Sequence, residues 1–121
     1  MKYSVKFVVR NGFASVDVPK EIEPVNDLLT GDIQGGSPDP WLRRINSVLS
    51  GQSSYEEVTG NSCTAEIKPD FTKIFNNFTL EEVECLIETS ELKQLIEMWV
   101  NERTKLYEEE ERMRIANSAK D

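Results

Sequence analysis

Histidine is absent from this chain. Its absence removes imidazole proton shuttles, every Ser-His or Cys-His nucleophile pair, and most zinc and transition-metal sites. Cysteine occurs twice, at Cys63 and Cys85, with no CxxC spacing, and each sits where an apolar side chain is expected. The two thiols therefore read as buried free groups in a reducing compartment, with no disulfide needed. Long apolar runs are also missing. Nothing approaches a membrane span, and Met1-Lys2-Tyr3-Ser4-Val5-Lys6 alternates apolar with polar where a signal peptide would hold an unbroken apolar core, so a cytoplasmic chain is expected. Positive charge is scarce, with 14 Lys and Arg against 22 Asp and Glu and a net charge of -8 among 121 residues. A direct nucleic-acid ligand needs a Lys/Arg field and is disfavoured. The Gly31–Pro40 loop, GDIQGGSPDP, lacks GxxxxGK[ST] and carries two Asp, which repel phosphate.

What is present is clear hairpin chemistry. Asn11-Gly12 is a two-residue turn signal, and it sets Val5 opposite Val18, Phe7 opposite Val16 and Val9 opposite Ala14, with Lys6 and Asp17 on the other face. A three-stranded meander is predicted from Tyr55 to Phe75. Gly60-Asn61 tolerates the positive φ of a primed turn and would place Val58 opposite Cys63. Pro69-Asp70 marks the next reversal and pairs Ala65 with Ile74 and Glu66 with Lys73, an apolar pair on one face and an ion pair on the other.

Between these strands, residues 21–40 read as a long acidic connecting loop broken by Pro24, Gly31, Gly35-Gly36 and Pro38, with one helical turn over Val25–Leu29 at most. Asp39-Pro40 opens a helix, with Asp39 as the N-cap, an apolar stripe of Trp41, Leu42, Ile45, Val48 and Leu49, and Gly51 as the left-handed terminator. Thr79 and Glu82 form a capping box, with Phe78 and Val83 as a hydrophobic staple, and predict a helix burying Val83, Leu86 and Ile87. The next stripe, Leu92, Leu95, Ile96, Trp99 and Leu106, points almost the opposite way, so a break is expected at Thr89-Ser90, with Ser90 capping a last helix that runs to about residue 116. Residues 108–121 form its charged, fraying end. The expected fold is α+β and a single domain over residues 1–121, a five-stranded antiparallel sheet in the order ββ-α-βββ-αα with helices packed on one face.

The surplus acid is concentrated in two segments. Residues 21–40 and residues 79–91 each carry a net charge of -5. No catalytic, cofactor-binding or metal-binding set is expected. The acids Glu81, Glu84, Glu88 and Glu91 make a stripe on the predicted helix with no Lys or Arg between them. A general acid/base pair, a divalent-cation site and a merely solvated face are the competing readings of that stripe. Like charges at i, i+4 cost a short helix a few tenths of a kcal/mol each, which suggests a cation supplied from outside. The partner-binding residues expected on charge distribution are Glu21, Glu23, Asp27, Asp32, Asp39, Glu81, Glu84, Glu88 and Glu91. An alternative is an adaptor that self-associates through its C-terminal helix along Leu92, Trp99, Leu106 and Met113, although Glu102 and Glu109 at the intervening seam positions oppose it.

The run from Trp41 through Ile74 carries WLRRINSVLSG (Trp41–Gly51), TGNSCTAEI (Thr59–Ile67) and DFTKI (Asp70–Ile74), about a third of the chain. It resembles small bacterial immunity proteins of contact-dependent growth inhibition and related polymorphic-toxin systems. The resemblance implies a non-enzymatic, cytoplasmic, acidic inhibitor that binds and neutralises a cognate toxin domain, often a basic nuclease. Such a protein would be a monomer when free and a heterodimer with its toxin, with no cofactor and no membrane contact. The resemblance transfers no binding residue.

Overall fold

The computed structural model describes residues 1–34, 36–79 and 83–119. Two short strands, β1 (Lys6–Arg10) and β2 (Phe13–Asp17), form a hairpin around Asn11 and Gly12, both of which take positive φ, at 53° and 80°. The register is the expected one: Phe7 faces Val16, Val9 faces Ala14 and Lys6 faces Asp17. The Asp17 carboxylate takes both hydrogen bonds of the Arg10 guanidinium, at 2.7 and 2.8 Å, rather than pairing with Lys6.

The expected connecting loop is folded. A 3-10 turn (Lys20–Ile22), helix α1 (Glu23–Asp27) and a π-helical turn (Leu28–Ile33) follow one another without a gap. Their side chains Ile22, Val25, Leu28, Leu29 and Ile33 are at most 1% exposed, so this segment is core. Burial of five large apolar groups outweighs the local breakers, each of which costs about 1–3 kcal/mol in a helix interior. Pro24 falls in the first turn of α1, where the missing N–H costs nothing.

Helix α2 (Asp39–Leu49) buries Trp41, Ile45 and Val48 and ends at Gly51, whose φ is 85°. Two details differ from expectation. Asp39 lies inside the helix, Pro38 is the capping position, and the Asp39 N–H donates to Ser37 Oγ at 3.2 Å, so the Asp39 carboxylate makes no cap. Leu49 is exposed at the end of the stripe.

The main sheet has four antiparallel strands in the order β3 (Glu56–Thr59), β4 (Cys63–Ile67), β5 (Phe71–Asn76) and β6 (Glu84–Glu88). The single five-stranded sheet is thus replaced by two sheets, because β1 and β2 pair only with each other and β6 takes the free edge of β5. The predicted helix over this last segment is a strand. Cys85 and Ile87 alternate inward and Glu84, Leu86 and Glu88 outward, a period of two that satisfies the β5 edge, which a helix would have left unpaired. The expected capping box and Glu81 involve residues outside the described ones, and Val83 lies just before β6.

Two turns set the remaining registers. The Pro69-Asp70 turn is as expected, with Ala65 opposite Ile74 and Glu66 opposite Lys73. The Gly60 region differs: Val58 lies opposite Ala65, a slip of two residues from the Cys63 pairing. Neither Gly60 nor Asn61 takes positive φ. The turn is held instead by the Asp32 carboxylate, which accepts the N–H groups of Ser62 and Cys63, each at 2.9 Å. A side chain at Gly60 would place its Cβ 2.5–2.8 Å from that carboxylate, so glycine is required there for close approach.

Helix α3 (Thr89–Ala119) spans 31 residues, about 46 Å at 1.5 Å per residue. The reversal of apolar direction at Thr89 is real, but it joins a strand to a helix. Buried Thr89 shares its hydroxyl with Thr72 at 2.8 Å and donates its N–H to Asp70 O at 3.1 Å. Leu92, Leu95, Ile96 and Trp99 are fully buried. Helices α1, α2 and α3 all lie on the inner face of the four-stranded sheet, while α3 also carries the β1–β2 hairpin, with the Phe7 ring stacked on Trp99 at 6.1 Å. The seam Leu92, Trp99, Leu106 and Met113 cannot zip to a second chain, because its first two members belong to this core. Tyr107 makes the last anchor, its hydroxyl accepting from Ala14 N–H at 3.2 Å and from Gln34 at 2.8 Å; Glu108 to Ser118 beyond it are exposed.

Candidate functional site

With all three helices on the inner face of the four-stranded sheet, no helix among the described residues covers its outer face, although Thr64 on that face is buried. The registers assemble that face in rows. The middle row runs Glu57, Glu66, Lys73, Leu86 across β3 to β6. Beside it lies the row Thr59, Thr64, Phe75, Glu84, and on the other side Phe71 stands opposite Glu88. Leu86 is 64% exposed and Phe71 50%, consistent with their outward-facing positions on β6 and β5. Tyr55 is also exposed, at the entrance to β3, and its hydroxyl donates to Glu57 at 2.9 Å.

Charge is unevenly satisfied here. Lys73 stands between Glu66 and Leu86 in its row, yet its Nζ lies 3.3 Å from Glu84. Among the described residues Glu57 and Glu66 make no ion pair, although they sit directly opposite on neighbouring strands. Like charges in that position destabilise a sheet. The Tyr55 hydroxyl senses the same field: partial burial, the bond to Glu57 and the charges of Glu66 and Glu57 push it up to about 12.

The acids expected to bind a partner are dispersed. Glu21 and Glu23 are exposed at the start of the helical segment, and Asp39 is exposed at the start of α2. Asp27 is half-buried and accepts from the Asn76 amide at 3.2 Å, and Asp32 is committed to the β3–β4 turn. Glu88 on the outer face is held by the N-terminus, with Tyr3 Oη at 2.7 Å and Lys2 Nζ at 2.9 Å. Those two bonds, Tyr3 first, lower its pKa to about 2. Glu91, in the first turn of α3, accepts the Lys2 backbone N–H at 3.1 Å. Glu81 lies outside the described residues. Only Glu84 and Glu88 fall on the open face, and sequence reasoning missed Tyr55, Glu57, Glu66, Phe71 and Leu86. The alternation of Val83, Cys85 and Ile87 is the signal that could have placed Leu86 outward.

The rest of the surface carries little chemistry. Both thiols are buried, and burial pushes Cys63 up to about 12 and Cys85 up to about 11, which disfavours the nucleophilic thiolate. Among the described residues no three His, Cys, Asp or Glu are grouped to hold a metal, and no helix is long and apolar enough to cross a membrane. A shallow cavity of about 740 Å³ on the outside of α2 is lined by Asp39, Leu42, Arg43, Asn46, Ser47, Ser50 and Gln52, with no base set beside a nucleophile.

Comparison with known proteins decides the family. An immunity protein of Bacillus cereus is 36% identical over 102 residues, covering 82% of this chain and 86% of the relative. The chain belongs to the immunity proteins. No family model matches it. No solved structure matches it significantly. The aligned region is longer than the stretch from Trp41 to Ile74 that carried the resemblance, so the likeness reaches well beyond the central meander.

Proposed function

We propose that this immunity protein neutralises a cognate toxin domain by forming a stoichiometric protein complex with it, without catalysis. The toxin is a basic nuclease, of the kind borne by contact-dependent and polymorphic toxin systems, and the encounter takes place in the cytoplasm. The observation that carries the reading is the acid left over after internal pairing. The chain has a net charge of -8, and its ion pairs among the described residues, Lys2–Glu88, Arg10–Asp17, Lys73–Glu84, Lys105–Glu102 and Arg114–Glu111, leave most acids without a cation. A nuclease must carry a Lys/Arg groove for its substrate. An acidic surface that enters the groove gains steered association and competes with nucleic acid for the same cations.

The test is a titration of the nuclease domain encoded beside this chain's gene. Activity should fall linearly to zero at about one equivalent, and the association rate should drop at least tenfold between about 50 mM and 500 mM salt. Inhibition by a small fraction of an equivalent would mean turnover and would overturn the binding mechanism. Full-strength nuclease activity in excess inhibitor would overturn the function.

A further inference from the structure

We infer that the outer face of the four-stranded sheet is the surface that seats the toxin, and that the toxin offers it a projecting arginine or lysine received between Glu57 and Glu66. The inference rests on the toxin-neutralising reading above and adds to it a location and a chemistry. Three observations converge on this face. Among the described residues no helix lies over this face, since α1, α2 and α3 pack on the other side of the four-stranded sheet. It carries the directly opposed carboxylates Glu57 and Glu66 without an ion pair among the described residues, and a cation placed between them converts a repulsion into two attractions. Tyr55, 42% exposed, bonds Glu57, and on the same face Leu86, 64% exposed, lies beyond Lys73 in the row while Phe71, 50% exposed, stands in the next row.

Such a mixture matches the anatomy of a binding hot spot, in which apolar anchors exclude water around a few charged contacts. An aromatic ring beside the carboxylates adds a face on which a guanidinium stacks, which favours arginine over lysine. Three of the acids expected on charge to bind a partner are already engaged. Asp27 and Asp32 are spent inside the fold, and Glu88 is held by Lys2 and Tyr3. The partner is therefore a cation-bearing protein surface with enough apolar area around the cation to cover Leu86 and Phe71.

The test uses the full chain and the nuclease domain encoded beside its gene, with affinity and growth protection measured for four proteins: wild type, Glu57→Lys, Leu86→Ala, and a control carrying Glu21→Lys with Glu23→Lys. Glu57→Lys should weaken binding about 30-fold or more and Leu86→Ala about tenfold, while the control stays within about threefold of wild type. Glu57→Lys also guards against misfolding as the cause, because it replaces a like-charge pair by an opposite-charge pair and should leave the melting temperature unchanged or slightly raised. Wild-type affinity in both face variants, or a loss in the control equal to theirs, overturns the assignment of the face. A wild-type chain that neither binds nor protects overturns the function itself, and the inference with it.

Discussion

Replacing Trp99 with alanine should cost about 3–5 kcal/mol of stability, the range for truncating a buried large aromatic. That is a large part of the 5–15 kcal/mol that holds a domain together. Trp99 is fully buried on α3 and stacks on Phe7 of the β1–β2 hairpin. A two-stranded hairpin is marginal alone in water, so its persistence depends on burying Phe7, Ala14 and Val16 against neighbouring elements such as α3. Loss of the indole should therefore free the hairpin first, seen as faster amide exchange over Lys6–Asp17 together with a melting temperature about 10–20 °C lower. Trp99→Phe should cost much less. It keeps a ring against Phe7 and removes the indole N–H, which is buried without a hydrogen-bond partner among the described residues. A loss below about 1 kcal/mol for Trp99→Ala would contradict the packing of the hairpin on α3.

A second large effect is expected at Asp32. Asp32→Ala removes an ionised acceptor from two partly buried N–H groups, those of Ser62 and Cys63, and should cost about 2–4 kcal/mol. Gly60→Ala should be costly for a linked reason, because the new Cβ would collide with the same carboxylate. The two changes should then be strongly non-additive: with Asp32 already reduced to alanine, Gly60→Ala has little left to strike. A double-mutant cycle in urea should return a coupling of at least 1 kcal/mol, whereas additive losses would show that the two residues do not share one clamp. Asp32 is on this account a structural carboxylate, and its removal weakens toxin binding only as far as it weakens the fold.

How much of this was legible in the sequence depended on how local the determining forces were. Asn11-Gly12 and Pro69-Asp70 set their registers through turn chemistry and pairs within a few residues, and both registers stand. Gly60-Asn61 carries a similar local signal, yet Asp32, 30 residues before Ser62, overrides it and moves the register by two. That slip hid the candidate site. With Val58 opposite Cys63, Glu57 would have faced Thr64; in the structure it faces Glu66, and the like-charge pair becomes visible.

The strand β6 was lost to a second ambiguity. Five residues bearing apolar groups at Cys85, Leu86 and Ile87 fit either period, and the capping residues before them tipped the balance to a helix. What decides the matter is the unpaired edge of β5, which no local window contains. Glu84 and Glu88 share a face on β6 as they would on a helix, since positions four apart do so in both. The segment 20–33 shows the opposite failure: Pro24 and Gly31 read as breakers, whereas the burial of Ile22, Val25, Leu28, Leu29 and Ile33 could be weighed only once the sheet beneath them was known.

Carboxylate footprinting of the chain, alone and saturated with its cognate toxin domain, decides whether the outer face of the four-stranded sheet seats that partner. Glu57 and Glu66 should lose most of their labelling in the complex, while Glu21, Glu23 and Asp39 are labelled equally in both states. Unchanged labelling of Glu57 and Glu66, with protection appearing at Glu21, Glu23 or Asp39, would contradict that seating.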